Sequence, residues 1–289
     1  MGELYKPQLV FYSGATLLEG PCWHKKTREI SCVSIEQKCI YCINHQNGNI
    51  RTFETEGQVG CAVVENEEYM IEAEYGGIYR LNTRTGEKKF VVQLNTNLKL
   101  RYNDGAIDSA GRFLVGTTGY NCLAEQESAL FSWDGKQGRK LIDGVTISNG
   151  IAFSKDDKFM YYVDSPTKKV ARYYYDINTG DISFDKDIIN LDGESMPDGI
   201  CMDIDDTLWV AQWGGGKVSK WNLENGEKIA EVRLPCKNVS SCCIGGARDE
   251  YLFVTTAKHD DGTKSEELAG GLFMIQIRED GGISHEYFR

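Results

Sequence analysis

NGIAFSKDDKFMYYVDSPTKKVARYYYDINTGDISFDKDIINL, residues 149–191, decides the fold. It reads as an apolar strand (NGIAF), a polar turn (SKDDK), two strands rich in aromatic and β-branched residues (FMYYVDS, VARYYYD), a turn at Thr179-Gly180, and a last strand running into IINL. The order recurs directly downstream as DGICM, DIDDT, LWVAQW, GGG, KVSKWN, ENGE and KIAEVRLP. A third copy follows with CCIGG, YLFVTTA and GLFMIQI, the last after a long loop at 258–269. Upstream, PCWHKKTREISCVSI with CIYCIN, VGCAVVENEEYMIEAEY with GIYRLN, and GAIDSAGRFLVGTT with ALFSWD fit the same pattern. Six units of about 48 residues, each four strands, predict a six-bladed β-propeller, all-β and a single domain over 1–289. The last blade is expected to be closed by a strand from segment 5–18, because an open sheet would expose a templating edge.

An oxygen-bearing side chain precedes the glycine that opens the first strand of four units: Glu19-Gly20, Asp104-Gly105, Asn149-Gly150 and Asp198-Gly199. Equivalent positions of successive blades face one central axis. Residues far apart in sequence therefore converge there, with Asn103 one step before Asp104. Carboxylates and amides without Cys or His are the donors of a hard-cation site, for Ca²⁺, Mg²⁺ or Mn²⁺, with Zn²⁺ also able to take carboxylates.

Composition narrows the function classes. There are 43 acidic against 32 basic residues, a net charge of −11, and the Lys/Arg runs stop at short pairs such as Lys25-Lys26. Nucleic acid and anionic membrane surfaces are therefore not expected as partners. No window reaches the ~18 apolar residues of a membrane span, and MGELYKPQLVFYSG has no basic region followed by an apolar run. The expectation is a cytoplasmic protein, monomeric or a weak dimer.

Ten cysteines in a chain of this length, with no secretion signal, read as reduced and buried. Cys39 and Cys42 have CxxC spacing but lie in a strand, with no second pair to complete a zinc cage. Cys242-Cys243 reads as strand filling. No GxSxG elbow is present, and His24, His45, His259 and His285 form no triad or metal pattern. His24 follows Trp23 at a strand–turn junction and is expected at the surface. Gly214-Gly215-Gly216 lies between two strands and reads as a hairpin turn rather than a phosphate loop.

Five stretches, EGPCW (19–23), RYNDGAIDSAGRFLVGT (101–117), ISNGIAFSKDDKFMYYVDS (147–165), PDGICMDIDDTLWVA (197–211) and SSCCIGG (240–246), resemble the gluconolactonase/regucalcin (senescence marker protein) group, which includes luciferin-regenerating enzymes. The resemblance spans essentially the whole chain. It implies a six-bladed propeller holding one divalent cation on its axis and hydrolysing sugar lactones to aldonic acids. Carried over residue by residue, it implies Glu19, Asn149 and Asp198 as metal ligands, Asp198 also as base, and Arg101 and Asn103 as substrate contacts. The family's acidic substrate contact falls in TGYNCLAEQES (118–128), where Glu125 or Glu127 can fill the role. One departure is Ser34, where the family usually carries an aspartate.

The function expected is metal-dependent hydrolysis of a gluconolactone-like aldonolactone. The alternatives are a phosphotriesterase-like hydrolase on the same site and a non-catalytic calcium-binding or regulatory protein.

Overall fold

The structure, a computed structural model, describes residues 5–120, 124–258 and 266–278. Their strands form six four-stranded antiparallel sheets, each built from strands consecutive in sequence except the last. A three-residue 3₁₀ turn, Ser165–Thr167, is the only helical element among the described residues. No helix there is long and apolar enough to cross a membrane. The six-bladed β-propeller expected from the repeat is the observed fold.

The sixth blade closes as expected. Pro7–Tyr12 adds to Gly271–Gln276 as the outermost strand, with Pro7 opposite Ile275 and Tyr12 opposite Gly271. Closing the ring from both ends of the chain caps an edge that would otherwise be free.

Alternation of side chains along each strand sends successive residues to the two interfaces that flank the blade, so Leu208 and Val210 face blade 4 while Trp209 and Ala211 face blade 6. Six apolar clusters result, one at each blade interface. Val33, Ile40, Met70 and Leu81 fill that between blades 1 and 2. Trp209, Val218, Val254 and Phe273 fill that between blades 5 and 6, and Leu18, Ile30, Phe253 and Leu272 seal blade 6 against blade 1.

The innermost strands are Leu18–His24, Val59–Val64, Leu100–Ile107, Ser148–Phe153, Met196–Met202 and Asn238–Gly245. Each breaks register with its neighbour: between Glu19 and Cys22, Tyr102 and Gly105, Ser148 and Ile151, and Pro197 and Ile200 in the four blades carrying the oxygen–glycine pairs. Those pairs therefore sit at bulges inside the innermost strands rather than in turns before them. A bulge re-aims the side chains on either side of it. Glycine is required mainly by crowding: a Cβ on Gly150 would come within 2.6 Å of the Asp198 carbonyl oxygen, and one on Gly199 within 2.0 Å of Ser241 Oγ.

His24 departs from expectation. It is buried at the end of its strand, its Nε2 3.1 Å from Ser31 Oγ on the neighbouring strand, and burial lowers its pKa to about 4. The alternation that points it into the blade interface overrides its place beside a turn. The nine cysteines among the described residues are unbridged thiols, and Cys122 lies outside them. Gly214–Gly216 form the expected turn between Thr207–Trp213 and Lys217–Asn222.

Candidate active site

A cavity of about 260 Å³ opens on the axis at the end where the innermost strands begin. Glu19, Arg101, Asn103, Asn149 and Asp198 line it, brought together from blades 1, 3, 4 and 5. Four further side chains form its wall: Leu17, Ile147, Met196 and Trp213, with Ser165 at the base. Sequence reasoning missed all five, because none lies at the repeated oxygen–glycine position.

The polar residues are joined by hydrogen bonds. Arg101 Nη1 donates to Asn103 Oδ1 at 2.7 Å and to the Tyr102 carbonyl at 3.0 Å. Asn103 Nδ2 donates to Asn149 Oδ1 and to the Ser148 carbonyl, both at 2.8 Å. Asn149 Nδ2 donates to Ser165 Oγ at 2.8 Å, and Ser165 passes its own hydrogen to the Pro197 carbonyl at 2.7 Å. The residue after Pro197 is Asp198. Its Oδ1 is buried and has no hydrogen-bond partner.

The electrostatics make that orphan oxygen informative. Burial first, then the negative charges of Glu19 and Asp104, push the Asp198 carboxyl well above the usual carboxylate range. Glu19 still touches the cavity but lies deep in the protein, and burial with the Asp104 charge raises its pKa to about 8. Asp104, whose Oδ1 accepts the Gly105 amide hydrogen at 2.7 Å, is pushed up to about 6, chiefly by burial. Arg101 is the cation that acts against the rise at Glu19 and Asp198. Three carboxylates crowded near one axis disfavour charge on one another, and a positive charge placed between them reverses that.

Donor oxygens for a cation are therefore present in Glu19, Asp198 and Asn149, whose Oδ1 keeps a second lone pair beside its bond from Asn103. Among the described residues no three Asp, Glu, His or Cys side chains come together as a metal cage. The set here is two carboxylates and an amide, suited to a hard ion completed by other ligands.

Two expected residues are elsewhere. Glu125 is exposed in the turn before Ser128–Trp133 and does not line the cavity. Glu127 borders a separate hollow of about 590 Å³ with Tyr75, Leu98 and Tyr120. Asp104 faces a lower cavity of about 250 Å³ with Cys22, Cys61, Cys201, Cys242 and Cys243.

A family model, the SMP-30/Gluconolactonase/LRE-like region, matches residues 17–258. The chain belongs to this family. Chicken regucalcin is 32% identical over 277 residues, covering 89% of each chain, and bovine regucalcin is 38% identical over 186 residues, covering 61% of this chain and 62% of its own. Among solved structures, a luciferin-regenerating enzyme superposes with a TM-score of 0.84 at 23% identity, covering 94% of this chain and 95% of its own. Regucalcin from Agrobacterium tumefaciens, a calcium-binding protein, gives 0.86 at 22%, covering 95% and 93%. A gluconolactonase from Xanthomonas campestris gives 0.76 at 18%, covering 93% and 89%. At these identities the superpositions establish the shared propeller. Membership of the SMP-30/gluconolactonase family rests on the sequence match.

Proposed function

We propose that this protein is a divalent-cation-dependent lactonase, with the aldonolactones of its gluconolactonase relatives as reference substrates. The carrying observation is Asp198 Oδ1: a buried acceptor without a partner, in a cavity it shares with Glu19 and Asn149. An unsatisfied buried carboxylate oxygen is costly unless something positive meets it. Glu19, Asn149 and Asp198 would hold the cation. When bound, it supplies a Lewis acid for the ester carbonyl and favours the ionised forms of the carboxylates beside it.

The chain's own groups have separable tasks. Asp198, ionised, accepts a proton from the water that attacks the lactone carbonyl. Arg101 and Asn103 both line the cavity: Arg101 stabilises negative charge that develops on substrate oxygen, and Asn103, whose two amide hydrogens go to Asn149 and the Ser148 carbonyl, positions Arg101 and Asn149. The Arg101–Asn103–Asn149–Ser165 chain of hydrogen bonds holds these groups in fixed orientation, so little reorganisation accompanies reaction. Glu125 has no part in this reading.

The deciding experiment follows proton release from a panel of lactones with metal-stripped protein and with protein reloaded with Mn²⁺, Zn²⁺, Mg²⁺ or Ca²⁺. Turnover that appears with metal supports the reading, and no hydrolysis of any lactone with any metal refutes it. A second reading, a calcium-binding protein without turnover, is favoured by the all-oxygen donor set and by the calcium-binding regucalcin of Agrobacterium. Tight Ca²⁺ binding with no hydrolysis would select it.

A further inference from the structure

We infer that the lactone accepted here carries an apolar substituent rather than a row of hydroxyls; this rests on the lactonase reading and narrows its substrate class. The cavity has two unlike halves. Its floor is polar, and those polar groups largely bond one another: Arg101 Nη1 to Asn103, Asn103 to Asn149, Asn149 to Ser165, and Ser165 to the Pro197 carbonyl. Asp198 Oδ1 is the acceptor there without a partner. With the cation it would hold and Arg101, the floor thus serves the ester group and has few polar atoms left for a row of hydroxyls.

The wall is apolar. Leu17, Ile147, Met196 and Trp213 are all partly exposed to the cavity. Met196 and Trp213 are cross-strand partners in blade 5, so their side chains stand next to each other on one face. Leu17 comes from the approach to blade 1 and is bridged to Ala257, while Ile147 is bridged to Thr118. The apolar surface therefore comes from both sides of the mouth and not from a single residue. Trp213 alone would suit the apolar face of a sugar ring. Leu17, Ile147 and Met196 beside it offer no donor or acceptor from their side chains to ring hydroxyls, and a hydroxyl turned against them loses its water without replacement.

Size agrees. At about 260 Å³ the cavity lies just below the usual range for ligand sites, roughly 300–1,000 Å³. It encloses a lactone ring and the start of a substituent. Thr118, the bridge partner of Ile147, is followed by Gly119 and Tyr120, which border the neighbouring hollow with Tyr75 and Leu98. The Tyr75 and Tyr120 rings are 5.1 Å apart, edge to face, and Leu98 is 73% exposed. That hollow is mixed, since Lys99 and Glu127 also border it, so an alkyl or aryl group leaving the cavity on that side meets Tyr75, Tyr120 and Leu98 beside two charged side chains.

The test compares two lactones of equal ring size, δ-nonalactone and D-glucono-1,5-lactone, with full-length metal-loaded protein. Each kcat/KM is divided by that lactone's spontaneous hydrolysis rate. The expected preference for δ-nonalactone is at least about tenfold, the scale of a few methylene contacts in a fitted pocket. Trp213→Ala and Met196→Gln should each shrink that preference at least about fivefold, mainly through the KM for δ-nonalactone. Met196→Gln keeps the side-chain length, so it answers the question should Trp213→Ala unfold. Equal efficiencies, or faster turnover of the aldonolactone, overturn the inference and leave the lactonase reading standing. Hydrolysis of neither compound overturns the inference, and the lactonase reading then stands or falls on the full panel of lactones and metals.

Discussion

Asn103 Nδ2 donates to Asn149 Oδ1 at 2.8 Å, tying blade 3 to blade 4 beside the axis. The bond decides which end of the Asn149 amide faces Asn103, since Nδ2 of Asn149 is held by Ser165 on the other side. Asn103 was expected from the sequence to touch substrate. Its bonds point instead to orienting Asn149, one of the residues that would hold the cation in the proposed site, since both of its amide hydrogens go to Asn149 and the Ser148 carbonyl. Arg101 stands one link further back, its Nη1 gripping Asn103 Oδ1.

Asn103→Ala should therefore lower both metal affinity and catalytic efficiency, where a residue that only contacts substrate would leave the metal alone. Removing a group that orients a ligand typically costs 10–100-fold in affinity or activity. Calorimetric titration with Mn²⁺, read beside kcat/KM, separates the two roles. An unchanged metal affinity would show that the Asn149 amide holds its place without Asn103.

Dialysis against a chelator should abolish turnover and lower the melting temperature, and readdition of a divalent cation should restore both. The two effects are linked, because an ion that binds only the folded chain stabilises it by mass action. In the proposed site the gain would originate at Asp198 Oδ1, which is buried and unpartnered. Full activity in protein shown metal-free by elemental analysis would sink the proposed function.

The repeat makes the fold legible in the sequence. Strand-rich units with turn glycines at a period near 48 have one ready solution, and even the closing strand from segment 5–18 follows from edge protection. The polar floor was legible for the same reason, since Glu19, Asn149 and Asp198 occupy one repeated position. The wall was not. Leu17, Ile147 and Met196 each stand two residues before the oxygen-bearing residue of their unit, a regularity that a search for polar donors passes over, and Trp213 joins them from the neighbouring strand of blade 5. His24 failed differently: a place beside a turn signals exposure, but strand alternation sent the ring inward against Ser31. Glu125 shows the limit of carrying a role into a loop, for its turn leaves it in solvent.

Gly150→Ala tests how closely the innermost strands approach. The new methyl would meet the Asp198 carbonyl oxygen at 2.6 Å and the Ile200 backbone nitrogen at 2.9 Å, neither of which is a flexible side-chain end. Overpacking of this kind usually costs about 1–3 kcal/mol. Urea unfolding should show a lower midpoint with an unchanged slope, and activity should fall further than stability because the displaced backbone is that of Asp198. A midpoint equal to wild type would mean that the strands spread without cost.

Above pH 6.5 the chelated protein should lose stability as pH rises. Glu19 is raised from 4.5 to about 8, so between those values the folded chain holds a proton that the unfolded chain has released. Stability then falls with increasing pH, and the contribution is gone above about 8. Asp198, held well above the usual carboxylate range by burial and by the Glu19 and Asp104 charges, acts in the same direction, as do Asp104, raised to about 6, and Glu72, raised to about 7, lower in the range. His24, lowered to about 4, acts oppositely but only below its ordinary value of 6.5. Melting temperatures of chelated protein between pH 7 and 8.5 should therefore decline, and Glu19→Gln should flatten the decline. A cation should remove it too, by favouring the ionised carboxylate. A flat profile in chelated wild type would show that Glu19 is already ionised there.

Asp198→Asn is the sharpest test of the chemistry. The amide keeps an oxygen donor of nearly the same shape, so the propeller and part of the metal affinity should survive. It removes one negative charge and, in the proposed mechanism, the acceptor for the proton of the attacking water. Loss of general-base help typically costs 10²–10⁴-fold. The expected result is a kcat lower by at least ~10² at saturating metal, with an unchanged circular dichroism spectrum. The substitution also relieves the like-charge crowding with Glu19 and Asp104, so the metal-free variant should melt higher than metal-free wild type at pH 8. That pairing, a slower enzyme with a more stable metal-free state, is what a residue kept for function at a cost in stability predicts. A metal-saturated variant retaining more than about a tenth of wild-type kcat, well above what loss of a general base leaves, would move the base away from Asp198.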